Sequence, residues 1–118
     1  MTTQSGAGES GGTVPVACAL TPADLGAQGA RWERLAARAM TERAENADGL
    51  RICFRPEPGA EDELRRLVAV EVQCCPWASW AVQAAAGRLV LDVRSAGEGV
   101  AALHRMFTSL RPGTAQRG

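Results

Sequence analysis

Lysine is missing from this chain: all 13 basic residues are arginine, and 13 acidic residues balance them to a formal net charge of zero. The arginines are spread along the chain, so the clustered positive face that a nucleic-acid partner requires is lacking. Long apolar runs are missing too. Stretches such as Val14 to Leu20 and Trp80 to Val82 fall far short of the roughly 20 residues that span a bilayer. Met1 to Thr13 has neither the positive start nor the apolar centre of a secretory signal. The expectation is a cytoplasmic protein with no membrane and no nucleic acid among its partners.

Several motifs are also absent. There is no C-x-x-C pair, no glycine-rich phosphate loop and no G-x-S-x-G elbow. His104 is the single histidine. It flanks an apolar stripe, and an ordinary boundary residue is the expected reading over a ligand or base.

What is present fits one small domain. The 118 residues are 46% hydrophobic, enough for a core without stapling disulfides. The 22 alanines and the arginine-only usage suit the coding habit of a GC-rich bacterium. Residues 1–13 and 111–118 are polar, without period, and read as disordered tails. Residues 14–110 form the expected single cysteine-containing α+β domain.

Val14, Val16, Cys18 and Leu20 alternate, which predicts a first strand with Cys18 facing inward. Thr21 then supplies a cap, Pro22 the first helical position and Asp24 the first-turn acid. The helix they start carries Leu25, Trp32, Leu35, Ala36, Ala39 and Met40 as its apolar stripe and is expected to end at Asp48-Gly49. Leu50, Ile52 and Phe54 predict a second strand, with Cys53 on the opposite face beside Arg51 and Arg55. After the Pro56-Glu57-Pro58-Gly59 breaker, three acids open a second helix whose stripe runs Leu64, Leu67, Val68, Glu71, Val72, Cys75 until Pro76 stops it. Ser79 to Ala85 and Arg88 to Ser95 read as a hairpin around Ala86-Gly87. Val100, Leu103, Phe107 and Leu110 predict a last helix. The order is β-α-β-α-β-β-α, an α+β fold with a mixed sheet of about four strands packed against helices. A strip left over on the helices would suit a homodimer.

Chemistry concentrates in Glu71-Val72-Gln73-Cys74-Cys75-Pro76-Trp77. On a helix, positions three and four apart share a side, so the Glu71 carboxylate and both sulfurs meet at the last turn. A carboxylate on a core stripe must be neutralised, paired or bound to something. The bland alternative is a Glu71 that reaches solvent past the helix edge beside two packing cysteines. Adjacent cysteines are poorly placed for a mutual disulfide, because their Cα atoms lie about 3.8 Å apart and the usual window opens near 4.4 Å. In the cytoplasm the four cysteines should be thiols or metal ligands. If Cys18 lies over the end of the second helix, three sulfurs converge, and thiolate sets select soft ions. Cys18, Cys74 and Cys75 are therefore the expected metal ligands, with Glu71 as candidate acid or base. Trp32 fits core packing, whereas Trp77 and Trp80 either shield the sulfurs or belong to the hairpin core.

Cys18-Ala19-Leu20 ahead of a capped helix, then Glu71 with Cys74-Cys75-Pro76-Trp77 before a hairpin, resembles a group of small, largely uncharacterised bacterial proteins. Their pattern is C-x-L, then E-x-x-C-C-P/A-F; Trp77 keeps an aromatic at the last position. The resemblance implies that Cys18, Glu71, Cys74 and Cys75 act as a set, in a heavy-metal resistance context, and it does not extend to Cys53. In residue types alone the set is similar to organomercurial lyases, where two cysteines and a carboxylate cleave a carbon–mercury bond. The functional expectation is a binding protein for a thiophilic metal or metalloid ion such as Hg(II), As(III), Cu(I) or Zn(II). The alternative is an enzyme using the Cys-Cys pair and Glu71 for organometal cleavage or redox chemistry.

Overall fold

Thr21 Oγ1 accepts from the Asp24 backbone N–H at 3.1 Å, and helix α1 runs from Pro22 to Ala39. Its buried side is Gln28, Trp32, Leu35, Ala36 and Ala39. The computed structural model describes residues 21–112. The expected strand Val14 to Leu20, Cys18 within it, and nearly all of both tails lie outside the described residues.

The first helix ends nine residues earlier than its composition suggests. Met40–Asn46 is a strand, β1, turning back at Ala47-Asp48 into β2, Gly49–Phe54. Thr-Glu-Arg-Ala-Glu favours helix weakly, and pairing with β2 overrides that preference. Asn46 fixes the turn, its Oδ1 accepting from the N–H groups of Asp48 and Gly49, each at 2.9 Å. Gly49 is required by close approach: a Cβ there would lie 2.0 Å from the Val93 carbonyl oxygen.

The remaining elements fall where the sequence placed them, except that the last helix stops at Met106, ahead of Phe107 and Leu110. Helix α2 spans Ala60–Cys74, strands β3 and β4 span Ser79–Ala85 and Arg88–Arg94, and helix α3 spans Glu98–Met106. The class is α+β, with a four-stranded sheet ordered β1-β2-β4-β3. All three pairings are antiparallel, so the parallel neighbours expected of a mixed sheet do not occur among the described residues. The physical reason is the place of β4, which pairs with both β2 and β3 and so lies between the two strands that α2 joins; those two run parallel to each other but are not neighbours.

Leu50, Ile52 and Phe54 on β2 and Leu89, Leu91 and Val93 on β4 form one buried sheet face. All described helices bring their apolar residues to that face, including Trp32, Leu67 and Leu103. The opposite face carries the Arg51–Asp92 ion pair at 3.1 Å. Cys53 sits on that polar face, opposite Glu42 and Val90, as its alternation with Ile52 requires, yet it is buried. His104 ties α3 to the first hairpin through Nε2, 2.8 Å from the Gly49 carbonyl oxygen. That is the boundary role expected of it. No described helix is long and apolar enough to cross a membrane.

Candidate metal centre

The end of α2 brings three donors together because of where the helix stops. Glu71 and Cys74 are the last buried positions of the helix. Cys75 leaves it ahead of Pro76 with its backbone N–H still bonded to the Glu71 carbonyl oxygen at 2.6 Å. Leaving the helical region swings its side chain toward the same side as Glu71. Glu71 Oε1 lies 3.7 Å from the sulfur of Cys74 and 3.7 Å from that of Cys75, and the sulfurs are 3.8 Å apart. Two sulfurs held about 2.3 Å from one tetrahedral ion sit about 3.8 Å apart. The three donors thus outline a near-equilateral triangle of the size that one face of a tetrahedral site requires. Glu71, Cys74 and Cys75 form a group close enough to hold a metal ion.

Helix α1 sets the carboxylate. Glu71 Oε2 accepts from the Trp32 indole N–H at 2.9 Å and from Gln28 Nε2 at 3.0 Å, and Gln28 Nε2 also meets the Leu67 carbonyl oxygen at 3.1 Å. Glu71 is 4% exposed, so it does not reach solvent past the helix edge. With one oxygen fixed by two N–H donors, the other is aimed at the sulfurs. Such outer partners orient a ligand and tune it. Arg31 clamps the same two helices further along, through a two-point ion pair to Glu63 at 2.9 and 3.1 Å. It holds the Glu63 carboxyl below its ordinary range.

The electrostatics favour a cation. Among the described residues no ion pair reaches Glu71, and the Cys75 thiol donates to it. Burial first, then the Glu71 charge and that hydrogen bond, push the Cys75 thiol up to about 12. A soft ion that displaces this proton would supply the positive charge the cluster lacks.

Cys74 is held in a disulfide bond, whereas Cys53 and Cys75 are free. The expectation of reduced cysteines therefore fails at Cys74, and the 3.8 Å between the adjacent sulfurs shows that they are not bonded to each other. The Cys74 sulfur can serve a metal only after two electrons and two protons open its disulfide.

The sequence pattern points to packing alone for Trp32 and gives Gln28 no role. Trp32 does pack, edge-on to Phe107 with centroids 5.1 Å apart, but its N–H belongs to the site. The signal for Gln28 was a polar residue four positions before Trp32 on a buried helix face. The other two tryptophans both pack against the core, Trp80 edge-on to Phe107, and Trp77 also lines the cleft beside Cys75.

That cleft has a volume of about 380 Å³, and Glu71 and Cys75 are part of its lining. No protein-family model, curated protein or solved structure matches the chain.

Proposed function

We propose that the protein binds a thiophilic metal or metalloid ion, of the class of Hg(II), As(III), Cu(I) or Zn(II), through the thiolates of Cys75 and reduced Cys74. Glu71 Oε1 supplies the third donor or takes up a thiol proton as the ion enters. The observation that carries this reading is the near-equal spacing of the three donor atoms, 3.7, 3.7 and 3.8 Å, in a buried group. Cys18 remains the third sulfur expected from its place on the first sequence strand. The resemblance to small bacterial proteins of heavy-metal context points the same way.

The test is metal content after phosphine reduction and purification without chelator, with thiols counted before and after one equivalent of ion is added. Stoichiometric uptake that protects Cys74 and Cys75 from alkylation is expected. Reduced protein that takes up no soft ion, with unchanged thiol reactivity, would overturn the reading.

A second reading, thiol redox chemistry, is favoured by one observation: the free Cys75 sulfur lies 3.8 Å from the disulfide-bonded Cys74 sulfur. Reversible cycling of the Cys74 disulfide without any metal uptake would support it over the first.

A further inference from the structure

A bare ion needs no cleft, yet this site has one. The cavity of about 380 Å³ beside Glu71 and Cys75 is walled by Trp32, Trp77 and Phe107 and rimmed by Leu25 and Met106. Leu25 is 44% and Met106 38% exposed, and they are two of the three large apolar side chains among the described residues that are so open. The space equals about a dozen water molecules at roughly 30 Å³ each and falls at the small end of the roughly 300–1,000 Å³ typical of organic-ligand pockets. Its walls are mainly apolar and aromatic, and its polar groups gather at the carboxylate and sulfur end, apart from Arg105. A ligand that fits both ends has a soft centre for the sulfurs and an apolar body for the walls.

We propose that the site takes a soft metalloid or metal bearing one small apolar organic substituent, the centre bound by the sulfurs and the substituent lodged between Trp77, Phe107 and Met106. This rests on the metal-binding reading above and names its ligand class. For a monosubstituted arsenic(III) compound, the two thiols of reduced Cys74 and Cys75 replace two hydroxyl groups. Two As–S bonds form, two As–O bonds break, and the thiol protons leave with the hydroxyls as two waters. The As–C bond and the oxidation state are unchanged.

The experiment compares phenylarsenous acid with arsenous acid on phosphine-reduced full-length protein, each affinity divided by that for a simple free dithiol. The division removes the intrinsic preference of thiols for either arsenical. After it, the wild-type protein is expected to favour the phenyl compound by about tenfold or more, as burial of an aromatic ring allows. Leu25→Gln and Met106→Gln, singly and together, should erode that preference several-fold and leave arsenous acid binding unchanged. A normalised preference near unity, or equal losses for both compounds in the rim variants, would overturn the inference and leave the metal site standing. Failure of both compounds to bind would also overturn the inference, and the metal-binding reading falls with it only if the reduced protein takes up no other soft ion.

Discussion

Trp32 and Glu71 meet across 39 positions of sequence, the indole N–H donating to Oε2 at 2.9 Å. This contact joins α1 to the end of α2 and fixes which carboxylate oxygen is left for the sulfurs. Trp32→Phe keeps the ring that packs on Phe107 and removes the donor. It should cost about 1–2 kcal/mol in urea unfolding, because a buried carboxylate loses a partner. Ion affinity should fall about 10–100-fold, the usual effect of losing a group that orients a ligand. Trp80→Phe is the control: its indole N–H is buried and finds no partner among the described residues, so that change should be less destabilising than Trp32→Phe.

Glu71→Leu should destabilise by about 1–3 kcal/mol, since it strands the Trp32 N–H in the core. Glu71→Gln should be milder. It removes the charge that helps to raise the Cys75 thiol, so the thiolate absorbance of Cys75 should emerge at lower pH than in the wild type. An unchanged titration would mean that the Glu71 charge does not reach the sulfur.

The raised Cys75 thiol links stability to alkaline pH. Its value is about 12 in the fold against an ordinary 9.0, so the fold holds the proton more tightly than the unfolded chain does. The stability this contributes is complete below about pH 9 and is lost as pH rises toward about 12. Urea midpoints measured from pH 8 to 11 should decline in the wild type and decline less in Cys75→Ala.

Cys74→Ser and Cys75→Ser should each weaken ion binding far more than Cys53→Ser. Cys53 is buried on the polar sheet face, opposite Glu42 and Val90, and is not in the donor group. Equal losses at all three, measured by competition with a chromophoric chelator, would reject the assignment.

The site was largely legible in the sequence where it depends on helical spacing. Glu71, Cys74 and Cys75 follow one another at three and four positions, and Pro76 marks the stop, so their meeting at one turn is a local consequence of the chain. The hairpin around Ala86-Gly87 was legible for the same reason. The partners of Glu71 were not, because Gln28 and Trp32 reach it only through the packing of α1 on α2. Strand β1 was hidden by its composition: Thr41 to Glu45 is polar and suited to a helix, and only pairing with β2 makes it a strand. The burial of Cys53 was unreadable as well, since alternation assigns a face and not what covers it.

The most direct test of the central claim is X-ray absorption spectroscopy of the reduced protein loaded with one equivalent of Zn(II). At least two sulfur neighbours at about 2.3 Å with a further oxygen or sulfur donor are expected, the sulfur shell diminishing in both Cys74→Ser and Cys75→Ser. A shell of oxygen and nitrogen alone, unchanged in those variants, would contradict a site built on these two cysteines.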